Sequence, residues 1–89
     1  MIHLRLDKFL KVSRLVKRRT VAKEMCSKGR ISVNGKMAKP GMNVKIDDEI
    51  AIQFGQKLVT VRVKARKEMI KKEEAHFMYT VIREEKKEI

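Results

Sequence analysis

The sequence predicts an α+β fold: two N-terminal helices packed on a small, mostly antiparallel sheet, followed by a short C-terminal helical segment. Three observations carry this. Apolar residues recur at helical spacing up to about Lys28 and alternate with polar ones from Ile31 onward. Gly29 stands between the two regimes, where a helix ends in the left-handed conformation. Asn34-Gly35 comes next, a strong short hairpin signal because a type I′ turn needs positive φ at both positions.

The first helix is expected near the N-terminus. From Arg5 to Ser13, the residues Leu6, Phe9, Leu10 and Val12 fit one side of a helix, with Arg5, Lys8 and Lys11 on the other. Ser13 offers a stop and a cap for the next segment. Thr20 reads as the N-cap of a second helix running to about Lys28, with Val21, Ala22, Met25 and Cys26 on its apolar face. Ile31-Ser32-Val33 alternates as a strand, and Lys36 to Lys39 returns from the hairpin. Pro40-Gly41 and Asp47-Asp48 are turns. Glu49 to Phe54 points Ile50, Ile52 and Phe54 inward; Leu58 to Val63 does the same with Val59, Val61 and Val63. Lys71 to about Tyr79 reads as a short helix docked by Ala75, Met78 and Tyr79. Thr80-Val81-Ile82 fits a helix or a strand, and periodicity does not decide between them.

Charge separates the chain into unequal parts. The 89 residues carry 23 Lys and Arg against 11 Asp and Glu, a net charge of +12. Residues 1–30 hold ten of those cations against Asp7 and Glu24, so two thirds of the excess lies in the first third. The region after Val63 is just as charged but nearly balanced, with Glu68/Lys72 and Glu84/Glu88 beside Lys86 and Lys87 as local pairs on a solvated face. A strongly basic small domain points to an anionic partner, nucleic acid before membrane. No stretch approaches the roughly 18 apolar residues of a membrane helix, and Met1-Ile2-His3-Leu4-Arg5 has no signal-peptide core. A cytoplasmic location is expected. The single cysteine excludes an internal disulfide framework and a multi-cysteine zinc site.

Lys17-Arg18-Arg19 precedes the second helix directly. Three cations at a helix N-terminus oppose the dipole and repel one another. A bound anion reverses that balance, because free N–H groups, the dipole and the side chains then act together. Arg5, Lys8, Arg14 and Lys23 extend the same basic side. A solvated basic turn is the ordinary alternative. The aromatic residues are Phe9, Phe54, Phe77 and Tyr79, with Phe9 and Phe54 expected in the core. That leaves few rings to stack unpaired bases, so phosphate contact with folded RNA or a duplex is the expected mode.

Arg5-Leu6-Asp7-Lys8-Phe9-Leu10, Ser13-Arg14, Gly29-Arg30-Ile31-Ser32-Val33-Asn34-Gly35 and Asp48-Glu49-Ile50 resemble the RNA-binding domain of ribosomal protein S-four type, the alpha-L motif. The resemblance covers residues 4–54 and leaves 55–89 as a strand and C-terminal helical extension of one domain, 1–89. Further residues extend it to small stand-alone members of the family that serve bacterial ribosome quality control. These are Lys17-Arg18-Arg19-Thr20, Phe54-Gly55-Gln56-Lys57-Leu58-Val59-Thr60-Val61, Lys72-Glu73-Glu74-Ala75 and Met78-Tyr79-Thr80. Met1-Ile2-His3 departs from that pattern and leaves the start residue open.

The resemblance implies binding to ribosomal RNA of the large subunit and to peptidyl-tRNA on subunits that remain obstructed. It implies work beside RqcH, the factor that brings alanyl-tRNA for tailing of the stalled chain. It assigns the main RNA contacts to Arg5 and Arg19, with Lys8, Arg14, Lys17 and Arg18 in support. Asp7 is expected to pair with a neighbouring arginine, and Asn34 and Gly35 to serve the turn, with an RNA contact as the lesser alternative. A heat-shock-type recycling factor for blocked subunits is the related reading. A helix-turn-helix DNA-binding protein is the reading from another class, disfavoured because the cations gather at both helix starts rather than along one recognition helix. A membrane-surface module lacks its long amphipathic helix.

No enzyme is expected, and no cofactor. His3 and His76 have no third ligand or nucleophile at suggestive spacing. Cys26 reads as a buried small residue. Glu73 and Glu74 are adjacent and so point apart on a helix. The protein is expected to be a monomer away from the ribosome.

Overall fold

The computed structural model describes residues 4–65 and 72–86, without the side chains of Lys72, Glu74 and His76. Met1-Ile2-His3, and with it the question of the start residue, lies outside the described residues, as do Glu68, Lys87 and Glu88 of the expected tail pairs.

Strand β1 (Leu4–Arg5) runs straight into helix α1 (Leu6–Val12), and α2 (Arg19–Ser27) comes after it. Then come β2 (Ile31–Val33), β3 (Lys36–Met37), β4 (Asn43–Val44), β5 (Glu49–Phe54) and β6 (Lys57–Val63). A 3-10 helix (Lys72–Met78) leads into β7 (Tyr79–Lys86). The main sheet is antiparallel in the order β3-β2-β5-β6-β7; β1 and β4 form a separate two-stranded ladder.

The core lies between the two helices and the sheet. Leu6, Phe9 and Leu10 from α1 and Ala22 and Cys26 from α2 are buried with Ile31, Val33, Ile50, Ile52, Val59, Val61 and Val63. Alternation along β5 and β6 puts these residues on one face, as the pleat requires. Asn34 and Gly35 both take positive φ, 52° and 82°, in the turn between β2 and β3. Asn34 also reaches across the fold. Its side-chain amide donates to Asp48 Oδ1 at 3.0 Å, and its Oδ1 accepts from the Glu49 amide at 3.0 Å. Those bonds tie the hairpin to the start of β5 and support a structural role for Asn34. Gly29 ends α2 with φ 71°, as expected for a left-handed stop.

Several local expectations are corrected. Arg5 belongs to β1 and is the N-cap of α1, with extended backbone, rather than a helical residue. Ser13 is the expected stop of α1, but its hydroxyl caps nothing that follows: it is buried and donates back to the Leu10 carbonyl at 3.3 Å. Arg18, not Thr20, is the N-cap of α2, because the Ala22 amide already donates to the Arg18 carbonyl at 3.1 Å. Val21 is 41% exposed, and Phe54 is only half-buried at the rim of the core. The return from the hairpin pairs only over Lys36–Met37.

Thr80-Val81-Ile82 is strand. β7 pairs with β6 along its length, from Val63↔Tyr79 to Lys57↔Lys86. The register shifts between Thr60 and Val61, where Ile82 is the extra residue. The 3-10 helix before it buries Ala75 and Met78 and leaves Phe77 exposed.

Candidate RNA interface

Arg5 and Arg19 converge where the two helices begin. α1 has no side-chain cap. Its first amides are instead taken by the loop before β4: Leu6 donates to the Met42 carbonyl at 2.8 Å and Asp7 to the Pro40 carbonyl at 3.1 Å. This pins Asp7 beneath the surface, next to buried Leu6 and one turn from Leu10. Asp7 is 0% exposed.

A buried carboxylate is costly unless charges and hydrogen bonds surround it. Asp7 has three such partners. Its Oδ1 accepts from the Lys8 amide at 2.8 Å. Its Oδ2 lies 3.3 Å from Arg5 Nη2 and 3.2 Å from Arg19 Nε. Arg5 donates a hydrogen bond there; the Arg19 Nε–H is close but not aligned for one. The side chains of Arg5 and Arg19 remain 50% and 39% exposed. One buried anion thus holds two arginines that are 14 positions apart in the chain. Each keeps guanidinium donors for an outside ligand. Arg5 also lies against Gly41: a Cβ at that position would sit 3.5 Å from Arg5 Nη2.

α2 starts with no acidic residue in its first turn and no side-chain cap. Lys17, Arg18 and Arg19 therefore stand at a positive dipole end with no neutralising acid on that turn. Lys17 and Arg18 are exposed. Arg14 occupies the left-handed region at φ 65°, in the bend after α1, where its amide donates to the Lys11 carbonyl at 3.0 Å. Glycine would be the relaxed choice there. Lys8 is half-buried on α1. The structure thus joins Arg5 and Arg19 through Asp7, puts Lys17 and Arg18 next to Arg19 in the chain, and places Lys8 on α1 and Arg14 in the bend that follows it.

Two parts of this arrangement have no local signal in the sequence: the bond from Asp7 to the second helix, and the seat of Arg5 on Gly41. The one available hint is an acid inside an otherwise apolar and basic helical stretch.

Elsewhere the chemistry is quiet. Cys26 is buried, and burial pushes its thiol up from the usual range, with Asp7 adding in the same direction. The Lys28 ammonium, 3.0 Å from Glu24, holds that carboxyl below its usual range. Among the described residues no group of three His, Cys, Asp or Glu side chains is placed to hold a metal. No helix among them is long and apolar enough to cross a membrane.

The S4 domain model matches residues 4–50. The chain is 61% identical over 83 residues to the RQC P-site tRNA stabilizing factor of Listeria monocytogenes, covering 93% of this chain and 90% of that protein. It is equally 61% identical over 83 residues to the Bacillus subtilis protein of that name, covering 93% and 96%. Among solved structures, the trimeric structure of Vibrio cholerae Heat Shock Protein 15 superposes with a TM-score of 0.84 at 30% identity, over 90% of this chain and 82% of that one. The chain belongs to the S4 domain family, and within it falls with the RQC P-site tRNA stabilizing factors.

Proposed function

We propose that this protein is a non-enzymatic RNA-binding factor of ribosome-associated quality control. It binds large ribosomal subunits obstructed by peptidyl-tRNA, contacts both ribosomal RNA and that tRNA, and supports RqcH-driven alanine tailing of the stalled chain. The observation that carries this reading is the pair of half-exposed arginines, Arg5 and Arg19, held on buried Asp7 beside an uncapped helix start. Folding has already immobilised these two long side chains, so RNA binding loses less conformational entropy in ordering them. Lys8, Arg14, Lys17 and Arg18 supply further phosphate contacts. The near full-length likeness to factors named for P-site tRNA supports tRNA on the ribosome as the ligand. The protein acts in the cytoplasm, as a monomer off the ribosome.

Gradient sedimentation of cell extract tests the reading. The protein is expected to migrate with free large subunits that carry peptidyl-tRNA, and to leave them as salt rises. Its absence from every ribosomal fraction at low salt would overturn the reading. Competition with duplex DNA is expected to be weak compared with ribosomal RNA.

A further inference from the structure

A second surface lies beyond the arginine pair. The exposed flank of α2, the bend before it and the far end of β5 line a shallow, open cleft of about 510 Å³, whose apolar floor is Leu15, Val16, Val21, Met25 and Phe54. It continues past Val21, Met25 and Phe54 to the turn at Gly55. Val21 sits there 41% exposed, whereas Ala22 and Cys26 of the same helix are buried in the core. No described element of the fold covers it.

The rim is cationic. Lys17 and Arg18 stand at one end. Glu24, Lys28 and Arg30 stand at the other. Glu24 pairs with Lys28 at 3.0 Å and is attracted by Arg30 as well, so the rim carries four cations against one acid, and Lys17, Arg18 and Arg30 form no ion pair among the described residues. An apolar centre inside a polar rim is the anatomy of a protein interface. The floor is aliphatic and thioether apart from one ring, which suits side chains better than stacked bases.

We infer that this cleft docks a short acidic segment of a partner protein. Two or three apolar side chains of that segment lie on Val21, Met25 and Phe54, while its Asp or Glu residues face Lys17 and Arg18 at one end and Arg30 at the other. Since Lys17 and Arg18 are also the proposed phosphate contacts, the segment shares those two cations with the bound RNA and sits next to it. The inference goes beyond the RNA-binding reading and does not depend on which RNA is bound.

The test is photocrosslinking from the cleft. Val21→p-benzoylphenylalanine is produced in Bacillus subtilis cells lacking their own 61%-identical relative, irradiated, and the adduct sequenced by mass spectrometry. The expected product is a protein segment with Asp or Glu within four residues of the crosslinked position. Arg30→Glu in the same background is expected to reduce that adduct at least fivefold while sedimentation with large subunits stays unchanged. An adduct to RNA, to a second copy of this chain or to a segment without acids overturns the inference, as does no adduct from protein that still sediments with subunits. Loss of sedimentation by the photoreactive protein, with the adduct still formed, would count against the RNA-binding reading alone.

Discussion

The start of the chain and its final strand are both dense in charge, yet they are built in opposite ways. Around α1 and α2 the cations outnumber the acids, and the one buried acid collects two of them. Along β7, Arg83, Glu84, Glu85 and Lys86 carry both signs and are exposed; their pairs are Arg83–Glu85 at 3.5 Å and Lys57–Glu84 at 3.4 Å. Exposed pairs of that kind contribute tenths of a kcal/mol and reorient freely. Charge density is therefore common to both regions. What sets the proposed RNA face apart is charge held in place by a counter-ion that solvent does not reach.

That contrast can be broken most directly at the arginines. Arg19→Ala and Arg5→Ala are each expected to weaken sedimentation with large subunits by tenfold or more; each also takes a partner from buried Asp7, so the thermal midpoint is expected to fall, and binding is compared at a temperature where both variants are folded. Arg83→Ala is expected to change binding less than twofold. Equal losses at Arg19 and Arg83, measured side by side at one salt concentration, would erase the distinction.

Asp7→Asn sharpens it. The substitution raises the net charge, so charge alone predicts tighter association. We expect association to weaken several-fold, because Arg5 and Arg19 lose their common anchor, and folding stability to fall by about 1–2 kcal/mol as charge-assisted contacts are lost. Binding and denaturant melts on the same preparation separate the two effects. Tighter binding by this variant would refute the anchoring role.

Arg14→Gly tests a smaller term. Releasing the left-handed backbone at Arg14 is expected to stabilise the fold by about 1 kcal/mol. Removing one phosphate contact should lower the salt slope of RNA binding by about one unit. A variant that gains stability and keeps the full slope would remove Arg14 from the interface.

The smallest effect is titrational. The Cys26 thiol is raised in the folded protein above its ordinary value of 9.0. The unfolded chain therefore loses that proton first, and the contribution, complete below pH 9.0, declines as pH rises through the folded value. Stability measured from pH 8 to 10 should fall more steeply for the native chain than for Cys26→Ala, and parallel curves would remove this contribution.

Much of the fold is legible in the sequence because its signals are local. The Asn34-Gly35 turn, the stop at Gly29 and the alternation over Glu49–Phe54 are each written within a few residues. β7 is not legible. Thr80-Val81-Ile82 runs into six consecutive charged residues, Arg83 to Glu88, that suit a helix surface as well as a strand, and only pairing with β6 decides. The helix starts shift for a related reason. Loop carbonyls from Pro40 and Met42 cap α1, and no residue near Arg5 announces them. Within the interface, the basic run before α2 is readable as a run. The junction through Asp7 is not, because it joins residues whose proximity depends on how the helices pack.

The register shift at Ile82 bears on how the protein behaves in a crowded cell. β7 is an edge strand of eight residues, with Val81 and Ile82 partly exposed, a shape that invites strand-to-strand stacking between chains. The extra residue twists that edge out of flat register, and the mixed charges beyond it oppose close approach in most alignments. The bulge and the edge charges thus make β7 a poor template for a second chain, so that a protein this basic can concentrate on RNA without its sheets joining one another.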